Sequence, residues 1–273
     1  MLYCPKEHEP LATRFGQDIG VAALGYRAYA LYRLGYPESA LRDAEEALKS
    51  ARELGQTGTL AVALLFASTV NFFCGKFGEA EDRAQELIAL AEKYGLAYWK
   101  DLAGMFGGWV CAATNRGDGA VKLISQSLSG LSKARTTLFS PFSLMWLARA
   151  HASCGRLTEA RDAISRAVDS IEKMNERWDE AEVLRTAGEI ARLAPSSDAA
   201  KAETYFDRAL AVARQQNAKS LELRAAMSMA RLWHDQGKRR EARDLLAPIL
   251  EWFNEGFHLP DLVEAKALLE ELG

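Results

Sequence analysis

The sequence lacks a dominant charge, a long hydrophobic run and a secretory leader, and each absence excludes a class of protein. Its 34 basic and 37 acidic residues leave a formal charge of −3, so no cationic field favours nucleic acid or an anionic membrane. No run of about 18 apolar residues occurs, and the opening MLYCPKEHEPLATRF has no signal-peptide pattern. We therefore expect a cytoplasmic protein that binds neither nucleic acid nor membranes.

The sequence also has few residues that could perform chemistry, and those few are dispersed. The four cysteines and four histidines show no CxxC pair, metal spacing or catalytic triad: Cys4, Cys74, Cys111, Cys154, His8, His151, His234 and His258. No GxxxxGK[ST] phosphate loop is present. These absences predict reduced, buried thiols and a protein that is not an enzyme and carries no cofactor or metal.

What the sequence does have is a repeated pattern of small residues. The phrase GRLTEARDAISRA at 155–167 returns as GKFGEAEDRAQEL from Gly75 and as GKRREARDLLAPI from Gly237. The copies are 40 residues apart, except for one step of 42 near APSSDAA at 194–200. Three columns of residues recur: first Ala28, Ser68, Gly108, Ala148, Gly188 and Ala230; then Gly35, Gly75, Asn115, Gly155 and Gly237; then Ala40, Ala80, Ala120, Ala160, Ala202 and Ala242.

Each column has a physical explanation in a pair of antiparallel helices. Glycine or asparagine in the middle column supplies the left-handed backbone that ends a helix. Small residues on either side of the turn allow the two helices to cross closely. The fifth copy lacks the glycine, and Pro195, Ser196 and Ser197 provide a helix stop and cap there instead.

The surrounding segments are rich in Ala, Leu, Glu, Lys and Arg, with apolar residues three and four apart, which predicts helix throughout. We expect helices near 17–34, 37–54, 57–74, 77–94, 97–114, 118–134, 140–154, 157–174, 177–193, 198–216, 219–236, 239–253 and 261–272. Residues 1–16 form a lead-in. The repeats span 17–56, 57–96, 97–136, 137–176, 177–218 and 219–258, and 261–272 caps the end. The prediction is an all-α, right-handed solenoid of about six helix pairs.

This spacing of small residue, glycine and alanine resembles the tetratricopeptide repeat, although that unit has about 34 residues and this one has 40. A HEAT-type solenoid is the alternative, because its period suits the length better. Three stretches also resemble the C-terminal repeat region of large bacterial signalling proteins with ATPase or class III adenylate/guanylate cyclase modules: 15–41, 175–190 and 217–257. Since those catalytic modules are missing from this sequence, the resemblance implies a sensor or interaction segment.

By analogy with tetratricopeptide stacks, the first helix of each pair lines the concave wall. Positions three before, one after and four after the first column are then expected to face inward. The candidate groove residues are Tyr29, Tyr32, Phe72, Met105, Trp109, Met145, Arg149, Arg185, Glu189, Arg231 and His234. The N-terminal half of this wall is aromatic and apolar, whereas the C-terminal half is rich in arginine. Several of these side chains could instead pack between repeats.

Such a wall suits an amphipathic helix or extended peptide with one apolar and one acidic part. The sequence therefore predicts a non-catalytic regulatory module that binds a protein or peptide. The alternative is a small-molecule sensor that controls an associated cyclase, ATPase or transcription regulator, and a deep closed pocket beside Trp109 would favour it. Self-association through the apolar N-terminal end is a further possibility.

Overall fold

A computed structural model of the chain describes residues 12–193 and 198–273, and all regular structure in these ranges is helical. A single turn, Ala12–Phe15, precedes thirteen helices. These are α1 (Ile19–Leu34), α2 (Pro37–Leu54), α3 (Thr57–Phe73), α4 (Phe77–Tyr94), α5 (Ala97–Ala113), α6 (Gly117–Lys133), α7 (Ser140–Ser153), α8 (Leu157–Met174), α9 (Glu180–Arg192), α10 (Ala199–Gln215), α11 (Lys219–Asp235), α12 (Arg239–Glu251) and α13 (Pro260–Leu272). Each helix begins and ends within three residues of its predicted bounds.

The predicted turns are present, and the structure adds a second set. Backbone φ is positive at all five predicted positions, with values of 94° at Gly35, 73° at Gly75, 58° at Asn115, 72° at Gly155 and 78° at Gly237. A second set of left-handed residues ends the outer helices, at Gly55, Gly95, Arg135, Asn175 and Asn217. The proposed stop at Pro195, Ser196 and Ser197 lies outside the described residues, as do Cys4 and His8.

The small residues lie where paired helices cross, as predicted. All six alanines of the third column are fully buried. A methyl group added at Gly108 would come 2.6 Å from Ile124 of the paired helix α6. The Ser68 hydroxyl donates a hydrogen bond of 2.9 Å to the carbonyl oxygen of Ala80, which joins α3 to α4 directly. Larger side chains at these positions would therefore push the two helices of a pair apart.

The odd-numbered helices form an inner layer and the even-numbered helices an outer one. Each odd helix contacts the next odd helix along the chain, and α11 also contacts α1. The inner helices are buried on most sides, whereas the outer helices bury a single stripe, such as Ala160, Ala163, Ile164, Ala167 and Ile171 of α8. The structure confirms the all-α solenoid of helix pairs. It also shows that the first pair meets the last part of the chain.

Candidate functional site

The candidate groove residues all lie on inner helices, but most of the apolar ones are buried. Tyr29 is half-buried, whereas Tyr32, Phe72, Met105, Trp109 and Met145 are each at most 5% exposed. In this conformation the apolar half of the concave wall is therefore packed, and these side chains do not line an open groove.

The rings that fill the wall come from α1, α3, α5 and α7 and from the segment before α9. We call them the concave aromatic cluster: Tyr29, Phe72, Phe73, Trp109, Phe142, Trp146 and Trp178. The Phe72 ring centroid of α3 lies 5.1 Å from that of Trp146 in α7, in an edge-to-face arrangement. Trp109 of α5 lies 4.7 Å from Phe142. These rings therefore fill the space beside Trp109. Such edge-to-face pairs also stabilise a protein beyond the area that they bury.

The charged half of the wall is organised differently, around one buried carboxylate. We call this group the ionic cluster: Arg149, Glu182, Arg185, Glu189 and Arg224. Arg185 donates two hydrogen bonds to Glu182, from Nη2 to Oε1 at 2.7 Å and from Nε to Oε2 at 2.9 Å. Its Nη1 also lies 3.3 Å from Glu189 Oε1. The sequence-predicted Arg185 and Glu189 are thus brought together, and they bind each other.

Glu182 is the centre of this cluster because two guanidinium groups approach it. Arg224 Nη1 lies 3.5 Å from Glu182 Oε1, on the oxygen that Arg185 also contacts. Burial opposes ionisation of this side chain, but Arg185 and Arg224 outweigh it and lower the pKa of Glu182 to about 2. Glu182 is therefore a carboxylate at neutral pH although it is only 2% exposed.

Arg149 is the exception in the cluster, because it has no acidic partner. Its guanidinium lies 4.8 Å from the centre of the Trp146 ring. No described residue accepts a hydrogen bond from it or forms an ion pair with it. Burial, and then the like charge of Arg185, lower the pKa of Arg149 to about 10. The half-buried Arg149 is thus a cation held beside an aromatic ring with no counterion of its own.

The last two candidates, Arg231 and His234, lie on α11 and are half-buried. Arg231 forms an ion pair of 2.5 Å with Glu264 of α13, in which both side chains are partly exposed. His234 is half-buried near the carboxyl end of α11. Whether any of the eleven candidates contacts a ligand remains a prediction. Of the arginines among them, only Arg149 has no acidic partner among the described residues.

Sequence reasoning missed several residues of this site, although a signal for them was present. Phe142, Trp146, Glu182 and Arg224 lie six or two positions before the first small-residue column. Residues four apart share one face of a helix, so Phe142 and Trp146 face the same way as Arg149. The missed positions therefore belong to the predicted inner face.

Three further features of the described residues concern metal ligands, helix apolarity and the cysteine thiols. The described part of the chain contains no group of three residues placed to bind a metal ion. It also has no helix of sufficient length and apolarity to span a bilayer. Cys74 and Cys111 are buried free thiols, and burial raises the pKa of Cys74 to about 12. This thiol is therefore protonated and a poor nucleophile.

The fold has clear counterparts among solved structures, although the sequence does not. No family model and no curated protein matches the chain. The apo form of RapI is 12% identical, with a TM-score of 0.63 over 96% of this chain and 89% of that one. NprR in complex with its cognate peptide NprX is 14% identical, with a TM-score of 0.60 over 98% and 76%.

A third counterpart is a signal transduction ATPase with a tetratricopeptide repeat sensor, from Pyrococcus horikoshii. It is 13% identical, with a TM-score of 0.51 over 92% of this chain and 38% of that chain. At these identities the likeness concerns the fold alone. The fold of this chain is accordingly that of a tetratricopeptide-type solenoid.

Proposed function

We propose that this chain is a non-catalytic regulatory module of a bacterial signalling system, which binds a protein or peptide partner through its concave face. Two features support this proposal. The inner helices place aromatic and arginine side chains side by side on one face. In addition, NprR, whose fold is similar, was solved in complex with a peptide.

The observation that carries the proposal is the unpaired Arg149. Arg185 and Arg224 share Glu182, and Arg185 also contacts Glu189, so neither carboxylate of the cluster forms an ion pair with Arg149. A guanidinium without a counterion in a partly buried place is poorly solvated, and a carboxylate brought by a partner would form a charge-assisted hydrogen bond with it. We infer that the partner presents an acidic group to Arg149.

The Trp146 ring lies beside Arg149 and forms the second part of the proposed contact with the partner. This ring is only 5% exposed, so an apolar residue next to the acidic one contacts it only if the partner displaces part of the packing. The preferred partner is then a short segment that combines an acidic and an apolar side chain. Of the wall that the sequence predicts, this contact uses the arginine-rich half, because the apolar half is packed in this conformation.

A peptide display experiment tests this proposal. A library of random short peptides is selected against the wild-type chain and against Arg149→Gln. Selected peptides should be enriched in acidic residues next to apolar ones. Their affinity for Arg149→Gln, measured by fluorescence polarisation, should be about ten- to a hundredfold lower, since a hydrogen bond to a charged group is lost.

The matched control is Arg166→Gln on the outer helix α8, whose exposed side chain lies 3.7 Å from Asp162. It should bind the selected peptides like the wild type. The proposal is wrong if no acidic peptides are enriched, or if Arg149→Gln binds them as tightly as the control does.

The small-molecule sensor has less support than the peptide-binding module. A deep pocket beside Trp109 would favour it, and the rings of Phe72, Phe106 and Phe142 contact Trp109 instead. A metabolite that raised the melting temperature of the wild type, but not of Arg149→Gln, would restore this alternative.

A further inference from the structure

The two ends of the solenoid meet at a surface that sequence analysis did not anticipate. We call it the seam. On one side are the carboxyl ends of α1 and α3 and the start of α2; on the other are the segments before α9 and α13 and the amino end of α11. The residues that form polar contacts across it are Tyr32, Arg33, Glu38, Ser39 and Phe73 on the first side, and Trp178, Asp179, Ser220, Arg224, Glu255, Gly256 and His258 on the second.

Several seam contacts satisfy backbone groups at the ends of helices. The Ser220 hydroxyl donates a 2.6 Å hydrogen bond to the carbonyl oxygen of Tyr32. Arg224 Nη2 donates a 3.3 Å hydrogen bond to the carbonyl oxygen of Phe73, the last residue of α3. The Tyr32 carbonyl also accepts a 3.1 Å hydrogen bond from the Gly35 backbone N–H, whereas the Phe73 carbonyl, as is usual at the end of a helix, has no partner within its own helix. Water could take the place of Ser220 and Arg224 at these carbonyls if the seam opened.

Glu255 forms a second group of contacts, with the start of α2. Its carboxylate accepts hydrogen bonds from the Ser39 backbone N–H at 2.8 Å and from the Ser39 hydroxyl at 2.9 Å. In the opposite direction, the Gly256 N–H donates to Glu38 Oε1 at 2.9 Å. These polar groups are all able to bind water in an open form.

Arg33 contacts both Trp178 and Asp179 across the seam. Its Nη1 donates a 3.0 Å hydrogen bond to the carbonyl oxygen of Trp178, and its Nη2 lies 2.6 Å from Asp179 Oδ1. The guanidinium lies 4.4 Å from the ring centre of Tyr29, 5.4 Å from that of Phe73 and 4.9 Å from that of Trp178. One arginine thus joins the first, second and fifth repeats.

The seam also contains polar groups that closure leaves unsatisfied. The Tyr32 hydroxyl and Arg33 Nε are buried and have no hydrogen-bond partner among the described residues. Despite the short ion pair, neither oxygen of Asp179 receives a hydrogen bond of acceptable geometry. A cavity of about 20 Å³, which Tyr32, Cys74 and Ser220 help to line, lies at the same place. Unsatisfied buried groups and imperfect packing both oppose closure.

We propose that the seam is a releasable closure over the concave face, and that the contact between Arg33 and Asp179 is its latch. In a solenoid, stability comes from each repeat and its nearest neighbours. The seam joins residues that are 145 to 218 positions apart, so it can open while every helix pair remains intact. Opening would uncover Trp178 and the rings beside it. This proposal concerns the chain alone and does not rest on the partner proposed above.

Opening of the seam should depend on pH, because it is coupled to the protonation of Asp179. Arg33 and Tyr29 of α1 face Asp179, together with Glu176 of the preceding loop and Glu182 of α9. Burial outweighs the attraction of Arg33 and raises the pKa of Asp179 from 3.8 to about 7. The closed form therefore binds a proton more tightly than a solvated carboxyl would. Opening becomes easier as pH rises from about 4 to about 7.

Cys74 provides a native reporter of the seam. It is 3% exposed and lies beside Ser220, Leu223 and Leu262 from the far side of the seam. Cys111 of α5 is 8% exposed and lies away from the seam, so it serves as the internal control. Alkylation by N-ethylmaleimide, mapped by peptide mass spectrometry, measures how often each thiol becomes accessible. Rates are divided by those of the denatured chain at the same pH.

Arg33→Gln should raise the rate at Cys74 about tenfold and leave Cys111 unchanged, since the hydrogen bond from the charged guanidinium to the Trp178 carbonyl oxygen is lost. The matched control is Arg52→Gln, which removes an exposed ion pair with Glu86 between adjacent repeats and should change neither rate. In the wild type the ratio of the Cys74 rate to the Cys111 rate should rise from pH 5 to pH 7. Asp179→Asn should abolish this rise.

Two results would overturn the proposal. The first is an unchanged Cys74 rate in Arg33→Gln. The second is a parallel rise at Cys74 and Cys111, which means that the seam opens only when the chain unfolds. If Arg33→Gln does not fold, the pH series decides: a flat wild-type ratio, or an equal slope in Asp179→Asn, contradicts the latch.

Discussion

Ser220 lies 188 residues after Tyr32, yet its hydroxyl donates a 2.6 Å hydrogen bond to the Tyr32 carbonyl oxygen. This bond exists because the superhelix completes enough of a turn for its sixth repeat to reach its first. The same closure brings Arg33 to Asp179 and Ser39 to Glu255. A concave face that an open solenoid would expose is thereby covered in part by the chain itself.

The seam should make one turn glycine more sensitive than another. Gly35 and Gly155 both have positive φ, but a methyl group at Gly35 would come 2.5 Å from the Trp252 ring, whereas one at Gly155 would meet nothing within 4 Å. Gly155→Ala should lower the free energy of unfolding by about 1 kcal/mol through backbone strain. Gly35→Ala should lower it by about 1–3 kcal/mol more, through overpacking. Urea denaturation measures both, and equal losses would contradict a close contact at Gly35.

The centre of the ionic cluster should be sensitive to loss of its charge. Glu182→Gln leaves Arg185 and Arg224 without the carboxylate they share, so it should destabilise the fold by about 3–5 kcal/mol. Asp162→Asn removes an exposed partner of Arg166 and should change stability by less than about 0.5 kcal/mol. Thermal and urea unfolding of both variants provide the comparison. A loss below about 1 kcal/mol in Glu182→Gln would show that the cluster tolerates an unpaired charge.

Glu182 should also make the free energy of unfolding depend on pH under acidic conditions. The folded-state pKa of Glu182 is lowered to about 2 from its usual 4.5. The stabilisation from its charge is therefore fully present above about pH 4.5 and is lost as pH falls through 2. The difference in unfolding free energy between wild type and Glu182→Gln should shrink over this range. A difference that stays constant from pH 5 to pH 2 would disprove the ionised, paired state.

The closest helix crossings should not tolerate larger side chains. Ala160 of α8 is fully buried, so Ala160→Leu should overpack the crossing with α7 and destabilise the protein by about 1–3 kcal/mol. Arg161→Leu places the same side chain on the adjacent, exposed position and should stay within about 0.5 kcal/mol of the wild type. Denaturation midpoints distinguish the two. Similar stabilities would mean that α7 and α8 do not meet at Ala160.

The helix pairs were predictable because their signals are local. Gly35 and Asn115 mark turns through backbone conformation, and Ala160 marks a crossing through its size, so each effect depends on residues close in sequence. The second set of turns was missed because different residue types occupy the left-handed position in different repeats. Gly55 and Asn175 are ordinary residues for positive φ, but Arg135 is not, and no single residue type marks that column.

The surroundings of the groove residues were harder to predict, because they depend on how strongly the solenoid curves. A helical period places Trp109 and Arg149 on the inner face, yet it does not say whether that face is open. The ring packing of Phe72 on Trp146, and the pairing of Arg185 with Glu182, depend on where later repeats come to lie. The assignment of Trp109 and Tyr32 as ligand contacts accordingly remains a prediction, and both are packed in this conformation.

By itself, the sequence determined that the chain forms stacked helix pairs with turns at Gly35, Gly75, Asn115, Gly155 and Gly237. The conformation of each turn and the close crossing of each helix pair depend on residues that are near in sequence. The sequence of a single repeat is therefore enough to predict them. Only the tertiary structure decided that Arg33 meets Asp179 and that Arg149 lacks a partner. Small rotations between successive repeats add up along the solenoid, and their sum determines which distant side chains meet.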